Sequence, residues 1–312
     1  MNGLPELPER DLPPGRHRLL KEHLMTEIRH EQPAPKRGRL LRPALAAAAV
    51  ATAAAVTFVL LPSSGGARPD VQQPTRRSTA ALLEDIALAA EHEKSYGTVR
   101  DDQFVYVDSE VSYAQSGNGR KTTIEPAHRQ EVWMSVDGLH TGLVREAGTP
   151  GHSVPPDVKP GQVGWDASSF YNHVKTLPAD ADAMYAYLAR TATKYSDQEK
   201  SQAMFVLVGD LLRDSIMPPR QSAALFRAVA RIPGITTVEH VKDAAGRPGI
   251  GIARTDPDNP LRNEWIFDAK TYEFLGEREV ATKDNAGVKK GEITADTAVL
   301  RRAVVDKAGQ RP

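Results

Sequence analysis

The side chains that could carry chemistry are scattered along the chain and do not fall at the spacing of a known site. The run 256–259 (DPDN) resembles the first half of a calcium-binding loop, but Leu261 stands where the loop needs glycine and Phe267 where it needs glutamate. An ordinary turn explains this run better. The serine-hydrolase, zinc-protease and phosphate-loop motifs are missing from the sequence. We therefore expect no enzyme activity, no cofactor and no metal site.

Histidine and cysteine usage points the same way. The chain has nine histidines and no cysteine, which excludes thiol catalysis and cysteine-ligated zinc. His17 and His23 are six positions apart, a spacing that does not place them on one helical face. His140, His152 and His173 fall in or near an irregular region, where we expect surface histidines that are solvated or hydrogen-bonded.

The stretch that organises the chain is residues 43–61 (PALAAAAVATAAAVTFVLL), which carries no charge. As a helix it would be about 28 Å long, close to the ~30 Å thickness of a bilayer's hydrocarbon core. A buried core helix would usually show a polar stripe. A cleaved signal peptide would not have 42 residues before it. The sequence therefore predicts an uncleaved transmembrane helix at 43–61 and a single-pass protein of the cell membrane.

Flanking charge predicts the orientation. Basic residues crowd the N-terminal side of the stretch, which favours a cytoplasmic N-terminus, and they suit the anionic lipids of the inner leaflet. Residues 62–77 (PSSGGARPDVQQPTRR) read as a linker, and residues 78–312 as an extracytoplasmic domain. Residues 1–77 hold 12 basic and seven acidic residues, whereas residues 78–312 hold 28 basic and 33 acidic residues. A mildly acidic outer domain argues against nucleic acid as a partner.

The cytoplasmic segment, residues 1–42, contains a short amphipathic pattern. Leu20, Leu24 and Ile28 recur at intervals of four, which places them on one narrow apolar face of a helix. An isolated helix of this length is marginal in water, so it should fold against something. It could dock on a cytoplasmic protein, or it could lie on the lipid headgroups. On the first interpretation these three residues bind the partner.

The outer domain alternates blocks of strands and helices. Ser78 is a suitable cap for a first helix, Asp180 or Asp182 for a second, a third spans about 197–214, and Pro218-Pro219 opens a fourth. Strand patterns cover 103–114, 122–136, 139–146, 235–241, 248–254, 263–268 and 272–280, with an ambiguous piece at 292–305. Turns dominate and no βαβ rhythm is present. We predict an α+β fold with a largely antiparallel sheet that helices cover on one face, and with Trp133, Trp165 and Trp265 as core anchors.

Two parts of the sequence resemble a known family. They are residues 4–28 (LPELPERDLPPGRHRLLKEHLMTEI) with the alanine-rich stretch behind them, and the pair 231–256 (RIPGITTVEHVKDAAGRPGIGIARTD) and 264–279 (EWIFDAKTYEFLGERE). Together they resemble a family of single-pass actinobacterial membrane proteins. The layout is similar to that of membrane-bound regulators associated with extracytoplasmic-function sigma factors. The outer domain also resembles the curved-sheet lipoprotein-carrier fold used by some envelope-stress sensors. The resemblance implies no catalytic residues.

Two functions follow as expectations. The first is an envelope sensor that acts in signal transduction as a regulator of a cytoplasmic partner such as a sigma factor. The alternative is a membrane-anchored protein that binds or carries a lipid or another apolar ligand, because a curved sheet under helices can enclose a pocket.

Overall fold

The structure is a computed structural model that describes residues 78–115, 122–156, 159–162, 164–196, 198–285 and 287–312. The helices are α1 (Thr79–Glu91), α2 (Tyr171–Val174), α3 (Ala181–Tyr195), α4 (Lys200–Asp214) and α5 (Pro219–Val229), with a 3-10 turn at Trp165–Ala167. The strands are β1 (Phe104–Gln115), β2 (Thr123–Ile124), β3 (His128–Ser135), β4 (Gly142–Glu146), β5 (His152–Val154), β6 (Ile235–Lys242), β7 (Pro248–Thr255), β8 (Leu261–Asp268), β9 (Phe274–Ala281) and β10 (Ile293–Val305).

The helices begin where the sequence supplies partners for their first free N–H groups. The side chains of Ser78, Asp180 and Glu199 each accept backbone N–H groups in the first turn of α1, α3 and α4. α5 starts at Pro219, whose fixed φ suits the first helical position. These starts agree with the helices expected from the sequence.

All ten strands belong to one antiparallel sheet in the order β5-β4-β3-β1-β10-β9-β8-β7-β6, with β2 paired to β1. The predicted α+β class with a largely antiparallel sheet is confirmed. The segment 292–305, ambiguous from its sequence, forms β10. This strand pairs with β1 on one side and β9 on the other, so it joins the two halves of the sheet.

The main core lies between one face of the sheet and the helices. Apolar residues of α1, α3, α4 and α5 pack in a single cluster with the sheet side chains Val105, Val107, Ile252 and Trp265. The ring of Phe205 on α4 stacks on the Trp265 indole with 3.7 Å between centroids. Large aromatic and aliphatic side chains fill this layer, which supplies the burial that a domain without disulfides needs.

β-bulges interrupt the sheet where β9 and β10 meet their neighbours. The pairing skips Leu275 in β9 and Leu300 in β10. Nη2 of Arg247 donates to the Leu275 carbonyl at 3.0 Å and to the Val299 carbonyl at 2.8 Å. Arg247 lies between β6 and β7 and is held by Asp243. The turn that joins these two strands therefore reaches back to β9 and β10.

The predicted transmembrane helix at 43–61, the cytoplasmic segment 1–42 and the linker 62–77 lie outside the described residues. Within the part of the chain that the structure describes, the helices are too short or too polar to cross a bilayer.

Candidate functional site

The predicted partner-binding residues Leu20, Leu24 and Ile28 lie outside the described residues, so the structure does not place them. The run 256–259 forms the turn expected for it. Oδ1 of Asp256 accepts the N–H groups of Asp258 at 2.8 Å and Asn259 at 3.1 Å. Among the residues described, no three His, Asp or Glu side chains come together in a way that could hold a metal ion.

The most distinctive polar site lies on the sheet face opposite the helices, under a segment that follows β10. We call this segment, residues 306–312, the strap. It begins with a turn in which Gln310 N–H donates to the Lys307 carbonyl at 3.1 Å. It ends where Arg301 Nη1 donates to the Pro312 carbonyl at 3.1 Å. The strap makes no strand pairing, so side-chain contacts hold it against the sheet.

Glu131 on β3 is the centre of this site. The residue is only 4% exposed, and its carboxylate accepts from Arg311 of the strap through Nε at 2.7 Å and Nη2 at 2.5 Å. The Tyr106 hydroxyl on β1 donates to the same carboxylate at 2.7 Å. A planar guanidinium that meets a carboxylate through two parallel bonds is among the strongest polar contacts in proteins.

Trp133 lies two residues along β3 from Glu131 and forms the floor of the site. Its Nε1–H donates to the Gln310 carbonyl at 2.5 Å. The guanidinium of Arg145 lies 5.1 Å above the indole ring, and the Tyr106 ring packs against it at 5.1 Å. Ala308 of the strap joins the small apolar cluster around this indole. Trp133 is thus a core anchor, as expected from the sequence, and it also holds the strap.

A second buried carboxylate lies beside the first. Asp108 on β1 is directly opposite Glu131 in the pairing and is bound by Arg129 at 2.7 and 2.6 Å. Both arginine side chains are more than half exposed, whereas both carboxylates are buried. Arg129 belongs to the sheet itself, but Arg311 reaches Glu131 from the strap. Only the Glu131 site therefore depends on a segment outside the sheet.

The charges at the site are set by these contacts. The bonds from Arg311 lower the pKa of Glu131 to about 2, although burial opposes the shift. Burial, together with the neighbouring Glu131 carboxylate, raises the pKa of Tyr106 to about 12. At neutral pH the carboxylate is ionised and the phenol keeps its proton. The arrangement is suited to bind a guanidinium and a peptide carbonyl.

One histidine departs from expectation. His140 is half-exposed and lies 3.1 Å from Asp137, and His152 is exposed on β5, as predicted. His173, however, is 5% exposed and lies at a ring-centroid distance of 5.2 Å from Trp165. The prediction of a surface position is wrong for His173, although the ring is hydrogen-bonded as predicted, because α2 folds the irregular segment down against α3.

The hydrogen bonds of His173 define its proton position. The Tyr187 hydroxyl donates to the Asp166 carbonyl at 2.6 Å, so it can accept from His173 Nε2 at 3.2 Å. Within the described part of the chain, no group bonds to Nδ1 of His173. Burial lowers the pKa of His173. The ring is therefore held neutral with its proton on Nε2.

Sequence reasoning did not single out Glu131 or Arg311. The alternation of β3 contained one usable signal, because Glu131 shares the face of Trp133. The strap shows no periodic pattern, and nothing local in the sequence connects it to β3.

Comparison with known proteins adds little. No protein-family model matches the chain, and no curated protein matches it. Two solved structures are similar at 11% and 10% identity: an inactive mutant of the CurK dehydratase and the dehydratase domain from the CurK module of curacin polyketide synthase. Each match covers 71% of this chain and 83% of the other, with a TM-score of 0.12. A score this low is no basis for a shared fold or function.

Proposed function

We propose that the chain is a single-pass protein of the cell membrane that senses a condition outside the membrane and regulates a cytoplasmic partner. In this proposal residues 1–42 lie in the cytoplasm, residues 43–61 cross the membrane, and residues 62–77 connect them to the outer domain. Leu20, Leu24 and Ile28 form the face that binds the partner, for which a sigma factor is the leading candidate.

The observation that supports this proposal best is the position of α1. This helix follows directly on the linker, and its Leu83 and Ile86 are buried in the main core. Arg227 of α5 donates to Glu84 at 2.9 Å and to Glu91 at 2.8 Å. The helix that receives the linker is therefore part of the helical layer.

The start of α1 also contacts the edge of the sheet. Thr79, the first residue of α1, has its hydroxyl 3.0 Å from that of Thr237 on the edge strand β6. A rearrangement of α5 or β6 would displace α1 and so pull on the linker. This gives an outer signal a mechanical route towards the membrane.

Topology is the first part of the proposal to test. Because the chain has no cysteine, single introduced cysteines report their location without background. A membrane-impermeant maleimide applied to intact cells should label Ala269→Cys, on an exposed turn, and should not label Thr26→Cys. Both variants should react after lysis. Labelling of Thr26→Cys alone in intact cells would overturn the orientation.

The alternative is a membrane-anchored carrier of a lipid or another apolar ligand. It is supported by the layout of a single antiparallel sheet with helices on one face, a layout that the resemblance to the lipoprotein-carrier fold implies. The packed side chains of Phe205 and Trp265 mean that a ligand could enter this layer only if the helices parted. A surface pocket lined partly by Tyr96, Tyr171 and Met217 has about 20 Å³, which is room for one water molecule.

Lipid extraction separates the two functions. The 78–312 fragment, first checked for cooperative unfolding, would be purified and its organic extract analysed by mass spectrometry. One lipid species near one molecule per protein would support the carrier. A trace of mixed membrane lipids would leave the sensor as the better account.

A further inference from the structure

We propose that the surface under the strap is a binding site for an arginine-containing peptide, and that the strap occupies this site from within the same chain. This inference rests on the proposed sensing function and names the class of ligand that the outer domain would recognise.

The site contacts three consecutive residues of the strap. Trp133 Nε1–H binds the carbonyl of Gln310, the Glu131 carboxylate binds the side chain of Arg311, and Arg301 binds the carbonyl of Pro312. Two of these contacts are to the backbone, which any peptide provides. The third selects a side chain. This is the pattern of a peptide-recognition site, in which main-chain bonds give affinity and one side-chain contact gives specificity.

The buried carboxylate determines the chemistry of the occupant. If the strap left, Glu131 would keep the Tyr106 hydroxyl, but it would lose the cation that offsets its burial. Arg129 is bound to Asp108, and Arg145, which is opposite Glu131 in the pairing with β4, lies over the Trp133 indole. The occupant must therefore bring a positive charge. Arginine fits better than lysine, because only a guanidinium can make the two parallel bonds seen here.

The contacts that hold the strap also allow another peptide to replace it. It lies beyond the end of β10 at Val305, so its release breaks no strand pairing. The Arg311 side chain is 63% exposed, so solvent reaches it while it is bound to Glu131. Because the strap is tethered, its effective concentration at the site is on the order of millimolar. A peptide in solution competes well only when the strap is weakened.

Fluorescence anisotropy on the purified full-length protein tests this. The probe is a fluorescein-labelled hexapeptide with the sequence of residues 307–312 (KAGQRP). We expect Arg311→Ala to bind the probe at least ten-fold more tightly than the wild type, because the strap no longer competes. Lys307→Ala, a matched loss of charge in the strap away from Glu131, should bind like the wild type.

The specificity of the site is tested in the Arg311→Ala background. Adding Glu131→Gln should weaken probe binding at least ten-fold. Adding Trp133→Phe, which keeps an aromatic ring and removes the N–H donor, should weaken it several-fold. A probe with alanine in place of its arginine should not bind. Thermal unfolding confirms that each variant is folded. If the Glu131→Gln variant does not fold, the Trp133→Phe variant still tests the site.

Two results would overturn the proposal. One is an Arg311→Ala protein that binds the probe no better than the wild type. The other is equal binding with and without the Glu131 carboxylate. The assay uses neither a membrane nor a cytoplasmic partner, so its failure would leave the sensor proposal standing. Conversely, a failed topology experiment would leave the affinities measured in this assay unchanged, so the two failures can be told apart.

Discussion

Arg311 and Glu131 are 180 positions apart in the chain and are joined by two hydrogen bonds of 2.7 and 2.5 Å. Through this pair the strap is fixed to β3, which is not a neighbour of β10 in the sheet. The contact spans β1 and closes over Tyr106 and Trp133. It is a specific attachment, because the carboxylate is buried and the guanidinium meets both of its oxygens.

This attachment should be visible as acid-dependent stability. The folded-state pKa of Glu131 lies near 2, below its ordinary value of 4.5. Its contribution to folding is therefore present above pH 4.5 and is lost as the pH falls towards 2. Arg311→Ala should lower the free energy of unfolding at pH 7, and only modestly, because the arginine is largely exposed and solvent screens the pair.

Urea titrations of the wild type and Arg311→Ala at pH 7 and pH 2.5 measure this difference. Most of it should disappear at the lower pH. Lys307→Ala is the control and should match the wild type at both. A difference that stays the same at both values would mean that Arg311 does not act through the Glu131 carboxylate.

His173 should cause a second change of protein stability with pH, at a higher pH than the change caused by Glu131. Its folded-state pKa is lowered, chiefly by burial, although the nearby Asp166 opposes this. The unfolded chain therefore takes up a proton before the folded one does, and stability falls as the pH drops below about 6.5. His173→Gln, which keeps a donor for Tyr187, should remove part of the loss in melting temperature between pH 7.5 and 5.5. An equal loss in His173→Gln and in the wild type would mean that His173 is not its cause.

Asp296 should make the protein less stable as the pH rises, which is the opposite of the effects expected for Glu131 and His173. Burial raises its pKa to about 6, and Asp243 and Glu264 add to the shift while Arg278 opposes it. Among the described residues nothing bonds to its Oδ1. A raised folded-state pKa gives stability below pH 3.8 that is lost as the pH rises through 6.

Asp296→Asn should therefore stabilise the protein at pH 7.5, since the ionised form is disfavoured there, and by clearly less than the roughly 3 kcal/mol of the unscreened shift because the group is partly exposed. The gain should shrink towards zero at pH 4. Chemical denaturation at the two pH values decides the matter, and a loss of stability at pH 7.5 would show that the carboxylate is needed in its charged form.

Gly276 should tolerate no side chain. Its φ is +155°, and a Cβ atom would lie 1.8 Å from the Thr297 carbonyl oxygen on β10. Gly276→Ala should lower the free energy of unfolding by more than about 3 kcal/mol, because the backbone of β10 would have to move. Gly246→Ala is the control, since Gly246 also has a positive φ (+77°) but no atom near a Cβ. It should cost about 1 kcal/mol. Similar melting temperatures for the two variants would contradict this.

Local patterns predicted the class of fold and most of its elements. Caps such as Ser78 and Asp180 stand where helices begin, and the alternation of Val105 and Val107 marks the core face of β1. β10 was ambiguous, because the bulge at Leu300 breaks its alternation in the middle of the strand. The sequence pattern of a bulged strand carries no single period.

The candidate site could not be predicted from the sequence, for a different reason. Glu131 and Arg311 are each unremarkable among their neighbours in sequence, and their meeting depends on the order of β3, β1 and β10 in the sheet. The burial of His173 likewise depends on how α2 packs against α3. Contacts over long separations follow from topology, which local patterns do not contain.

The central claim is that the chain links an outer domain to a cytoplasmic partner, and one measurement tests it directly. A photo-crosslinking residue placed at Leu24 in living cells would be activated and its products identified. The account predicts one specific protein product, lost when Leu20→Asp disrupts the apolar face. Crosslinks to lipid alone, unchanged by Leu20→Asp, would contradict it and would place this helix on the membrane surface.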